Sequence, residues 1–187
     1  MRKSGNSCWA KHLAVKELTK INKSSLDLDG LLQLFSQYGF DVIDYDLPEQ
    51  SQYVAALIEK LSLQKFVQQR TAFVYQRQEI KLVFVYEQMT AEEKLYALSH
   101  ELGHIVCRHL RAGQGGHYTI EEEQEANEFA HYLLHPPLLS QGKIWCVNHK
   151  RAMVKALLCL VAVTLAVFFV AWHQQQRLYY GAYYVTE

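Results

Sequence analysis

His100, Glu101 and His104 stand in an HExxH pentapeptide, His100-Glu101-Leu102-Gly103-His104, inside a stretch that reads as a helix. Residues four apart on a helix share a face one turn apart, so both imidazoles can aim at one point. That convergence is what a tetrahedral Zn²⁺ takes from two of its ligands. Glu101 starts on the neighbouring face, within reach of a water in an open coordination position. There it can serve as general base while the metal lowers the pKa of that water. Catalytic zinc commonly has three protein ligands and one open position, so a third ligand must come from elsewhere in the chain.

The flanking sequence supplies the elements that would position these groups. Thr90 followed by Glu93 is a capping box, which starts the motif helix. Leu95, Leu98, Leu102, Ile105 and Val106 then recur at helical spacing, and Gly113, Gly115 and Gly116 are expected to end the run. Ahead of the cap, residues 71–76 and 80–86 are β-branched and aromatic runs separated by Arg77-Gln78-Glu79, a hairpin signature. Downstream, a second helix begins near Glu121, and its apolar face (Ala126, Phe129, Ala130, Leu133, Leu134) is expected to pack on the motif helix. Glu122 and Glu125 flank that face, with Glu121 and Glu128 further round. One carboxylate from this helix meeting the two histidines would complete a His₂Glu site. The glycine-containing loop from Arg111 to Tyr118 is expected to overhang the metal. In it His117 and Tyr118 are candidates to hydrogen-bond the oxyanion of a tetrahedral intermediate, against the plainer reading of surface loop residues. His131 and His135 read as helix-surface histidines.

Three stretches taken together, Tyr96-Ala97-Leu98-Ser99-His100-Glu101-Leu102-Gly103-His104, Glu123-Gln124-Glu125-Ala126-Asn127-Glu128-Phe129-Ala130 and Leu133-Leu134-His135-Pro136, resemble the ImmA/IrrE family of zinc metallopeptidases. Members carry HELGH, then E-A-N-x-F-A, then L-L-x-P. The resemblance covers residues 25–140 and implies a zincin-like domain, Zn²⁺ as cofactor and Glu125 as third ligand. It further implies a protein substrate, with repressor-like regulators of phage or mobile-element type as the family's targets. His135 stands where methionine is common, a departure outside the catalytic set.

The remainder bounds the architecture. The chain has 187 residues, half of them apolar, with zero formal net charge, so no basic excess points to nucleic acid as a direct partner. Cys8, Cys107, Cys146 and Cys159 show no paired spacing and read as reduced thiols, Cys107 as a small core residue. Residues 1–24 form a polar, basic arm or short helix without the apolar core of a signal peptide. A helix over 25–38 with stripe Leu28, Leu31, Leu32 and Phe35 ends at Gly39, a strand follows over 41–47, and a helix over 53–63. Residues 62–69 stay undecided. The pattern predicts an α+β fold, a small antiparallel sheet packed by helices.

The stretch 156–172 carries no charge and is apolar all round, and with Met153 and Val154 it reaches the length a bilayer needs. A small domain has little interior to hide so uniform a rod. Lys155 and Trp172 suit the two interfaces. Lys143, Lys150, Arg151 and Lys155 precede the span and only Arg177 follows nearby, which would keep the preceding residues in the cytoplasm. The predicted organisation is an arm at 1–24, a metallopeptidase domain at 25–140, a basic linker at 141–152, a transmembrane helix at 153–173 and a short external tail at 174–187. Trp145 and the basic cluster would hold the linker on an anionic leaflet. Glu92, Glu93, Lys94, Glu101, Arg108 and Arg111 make the motif helix itself too charged to lie in a bilayer, which excludes an intramembrane protease. The sequence thus predicts a membrane-anchored zinc metallopeptidase facing the cytoplasm. The alternatives are a zinc-binding module that displaces a regulator without cleaving it, and a membrane interaction protein with an accidental pentapeptide.

Overall fold

Alternation along three short strands divides the interior into two layers. The computed structural model describes residues 7–21, 26–46, 51–111, 118–138, 142, 145–146 and 149–183. β1 (Asp41–Tyr45), β2 (Ala72–Arg77) and β3 (Ile80–Tyr86) form one sheet in the order β1-β3-β2. β2 and β3 are the expected hairpin, turning at Gln78 in the left-handed region (φ 53°). β1 runs parallel to β3, so the sheet is mixed, where the sequence reading expected it antiparallel. The reason is the connection. Between β1 and β2 the chain forms two helices, α3 (Gln52–Lys60) and α4 (Gln64–Gln69), a crossover long enough to permit a parallel pair.

Phe73, Tyr75, Leu82 and Phe84 point to one face and pack with Tyr45 and with Ile58, Leu63 and Val67 of the α3–α4 segment. Val74, Val83 and Val85 point to the other face, into a larger core built by α1 (Ser7–Lys20), α2 (Leu28–Gln37), α5 (Ala91–Val106) and α6 (Ile120–Leu134). The segment expected as an arm or short helix contains α1, which buries Ala10, Leu13, Ala14 and Leu18 and packs on α6. α2 starts at the Asp27 cap and closes at Gly39 (φ 75°), with the Phe40 N–H donating to the Phe35 carbonyl at 3.0 Å. The expected start at Ser25 lies outside the described residues.

Tyr86 N–H donates to Thr71 O at 2.7 Å, which fixes the phase of the hairpin ladder. With that phase, the main-chain groups of Ala72, Val74 and Gln76 point away from β3 to the outer edge of β2.

Residues 146–187 form a separate unit. Its helix α7 (Lys150–Tyr183) is long and apolar enough over Lys150–Gln175 to cross a membrane, and its apolar side chains there are exposed.

Candidate metal centre

α5 carries the pentapeptide, and its start is built as the sequence reads. The Thr90 hydroxyl accepts the Glu93 N–H at 3.3 Å, and the Glu93 carboxylate accepts the Thr90 N–H at 2.9 Å. Its end is not. The helix ends at Val106, before the glycines at 113, 115 and 116, which lie outside the described residues. Arg108 adopts φ 61°, Arg108 N–H donates to Ile105 O at 3.2 Å and His109 N–H to His104 O at 2.9 Å. This is the same paired closure that α2 makes with Gly39, formed here without a glycine.

α6 crosses α5 at Gly103, where a methyl group would lie 3.0 Å from the Ala126 Cα and carbonyl oxygen. That close approach brings the two helices' polar flanks together. The Nε2 atoms of His100 and His104 are 3.0 Å apart, and a Glu123 carboxylate oxygen lies 3.2 Å from the first and 3.7 Å from the second. Two imidazole nitrogens on a tetrahedral Zn²⁺ with bonds of about 2.05 Å are about 3.3 Å apart, which these spacings bracket. His100 turns its Nδ1 to the Asn127 Oδ1 at 2.9 Å, leaving Nε2 for the shared point. His104 is fully buried, and its imidazolium is opposed by that burial and by His100, His109 and Arg70, which pull its pKa down to about 2. Both rings therefore offer lone pairs to one position, and the donor set His100, His104 and Glu123 fits a divalent cation.

Glu101 lies beside this position, almost wholly buried, with Oε2 making no hydrogen bond. Burial pushes its carboxyl up to about 8. Arg70 and a backbone hydrogen bond from Val74 act against that rise, and Glu123 adds to it. Tyr118 stacks its ring on His104 at 3.5 Å between centroids, almost parallel, and burial raises its phenol far above the usual value. His117 lies outside the described residues. Thr71, Ala72, Tyr96, His100, Glu101 and Asn127 line an open groove of about 570 Å³ that leads to the site.

The carboxylate that meets the two histidines is Glu123, where the sequence reading expected Glu125. Glu125 faces the other way, with Oε2 3.0 Å from His109 Nε2. The two glutamates flank opposite edges of the Ala126–Phe129–Ala130 stripe. Glu123 lies one turn before Asn127 on the edge that faces His100, and Glu125 one turn before Phe129 on the edge that faces the α5 terminus. Sequence reasoning also missed Asn127, His109 and Arg70. The spacing of Glu123 and Asn127, four apart and level with the motif histidines, was the one local signal available for that edge.

Residues 56–137, from within α3 to the turn after α6, match the profile of the IrrE N-terminal-like domain, a peptidase family. No curated protein and no solved structure matches the chain. The matched segment contains the pentapeptide, Glu123, Asn127 and the hairpin that feeds α5. Over residues 56–137 the chain is thus similar to the IrrE N-terminal-like family of peptidase domains.

Proposed function

We propose that the protein is a membrane-anchored zinc metallopeptidase whose metal is held by His100, His104 and Glu123. The observation that carries this reading is the convergence of three donor atoms within 3.0–3.7 Å beside a buried Glu101. When bound, Zn²⁺ would polarise the scissile carbonyl and acidify water. The chain's own residues do the rest. Glu101 takes the proton of the attacking water and returns it to the leaving amine. In a site that excludes solvent, such a proton transfer contributes about 10²–10⁴-fold in rate. The neighbouring cation favours the ionised form that this step starts from. Tyr118, whose ring stacks on His104, would donate to the oxyanion. The substrate is a folded regulatory protein of repressor type, a reading that rests on the family resemblance. α7 anchors the chain, and the excess of Lys150, Arg151 and Lys155 over Arg177 keeps the catalytic domain in the cytoplasm.

The test compares the full chain with Glu101→Gln in cells, mapping newly formed protein N-termini. Termini that appear with the parent and vanish with a Glu101→Gln protein that retains metal support hydrolysis. A variant that binds metal and relieves repression as well as the parent assigns a displacing module instead. Recovery of the chain in the soluble fraction removes the anchor.

A further inference from the structure

His109 belongs neither to the pentapeptide nor to the set of three donors, yet it is 2% exposed and wedged against them. Its Nδ1 lies 3.0 Å from His104 Nδ1, and its Nε2 lies 3.0 Å from Glu125. The turn that places it there puts Arg108 in the left-handed region, which is strained for a residue that carries a side chain. Such strain persists where surrounding contacts hold it.

Two facing ring nitrogens share one proton, and the neighbouring contacts decide which ring carries it. If His109 donated, His104 would carry its proton on Nε2, pointing at His100 Nε2 only 3.0 Å away and closing the metal position. In the other order His104 donates from Nδ1, His109 accepts on Nδ1, and His109 donates from Nε2 to the Glu125 carboxylate. Only that order leaves both inner nitrogens free. His100 is held in the matching form by donating to Asn127. The same tautomer rules out a rival site. Cys107, His109 and Glu125 lie close enough to hold an ion of their own, but His109 Nε2 carries a proton whenever His104 serves the metal.

We infer that His109 and Glu125 are positioning residues, a relay that locks His104 as the Nδ1–H tautomer and strengthens its hold on the metal. The inference rests on the metal-centre reading above. Partners of this kind behind a ligating histidine typically govern about 10–100-fold in metal affinity.

The experiment measures zinc affinity of the full chain in detergent by chelator competition, and the visible spectrum of the Co²⁺-substituted protein. His109→Leu is expected to lose about 10–100-fold in affinity and to shift the Co²⁺ bands. His109→Gln, whose amide can accept from His104 and donate to Glu125, is expected to restore both. Glu125→Ala, at a partly exposed position, removes the end of the relay without opening the core and is expected to weaken zinc in the same direction. Parental affinity in the Leu or Ala variant overturns the relay and leaves the metal centre standing. A Gln variant as weak as Leu overturns it in favour of packing alone. A parent that binds no metal overturns relay and metal centre together.

Discussion

Gly103 of α5 lies against the backbone of Ala126 of α6 so closely that any side chain at position 103 would meet it at 3.0 Å. The spacing of the two helices, and with it the distance from Glu123 to the histidines, is therefore set by main-chain contact. Gly103→Ala must push α6 away. Overpacking of this kind costs about 1–3 kcal/mol. We expect thermal unfolding to fall by roughly 2–4 °C per kcal/mol, with weakened zinc binding because Glu123 retreats with its helix. An unchanged midpoint with parental affinity would show that the interface yields freely.

The two glutamates are expected to separate by metal content. Glu123→Gln is expected to leave the protein without stoichiometric zinc after dialysis, because the anionic donor is gone from the shared point. Glu125→Gln is expected to retain about one zinc per chain, since His109 can still donate to the amide oxygen. Elemental analysis decides the matter, and the reverse pattern would restore Glu125 as the ligand.

Tyr45 gives the fold an alkaline limit. Its phenol is buried and donates to the Arg70 carbonyl, at the end of α4 beside the site, and burial raises its pKa to about 12, with Tyr86 adding to the rise. The folded value lies above the unfolded value of about 10. The stabilisation is therefore fully present below about pH 10 and is lost as pH climbs toward 12. Denaturant unfolding between pH 9 and pH 12 should show a steeper decline in the parent than in Tyr45→Phe, which lacks the titrating group. Parallel declines would count against burial as the cause.

How much of this was legible in the sequence follows from the range of the interactions. His100, Glu101 and His104 were readable because their geometry is local to one helix, and so was the Thr90–Glu93 cap. The choice between Glu123 and Glu125 was not, because either edge of the α6 stripe could have faced the histidines until the crossing at Gly103 fixed one. His109 was hidden for a different reason. The helix stop is made by Arg108 in a position where glycine is the usual signal, so the sequence placed the end at Gly113 or beyond and left His109 inside a run it does not belong to. The β-branched and aromatic runs marked the hairpin, and Gly39 marked the α2 terminus, but the parallel pairing of β1 depends on where α3 and α4 lay the chain, a non-local matter. The apolar run in α7 was plain from composition alone.

The backbone contact between Val74 and Glu101 has a practical consequence for handling the protein. β2 is the edge strand of the sheet, and the Val74 N–H at its middle points outward, where it meets the Glu101 carboxylate. An outward edge of this kind is a template for sheet-to-sheet association between copies, and packing a helix against it, here α5, is one of the devices that prevent it. Glu101 is the α5 side chain that meets the main chain of that edge. Glu101→Ala leaves the Val74 N–H without that acceptor, whereas Glu101→Gln keeps an oxygen for it, and the choice between them decides whether a loss of activity can be told apart from a loss of protein.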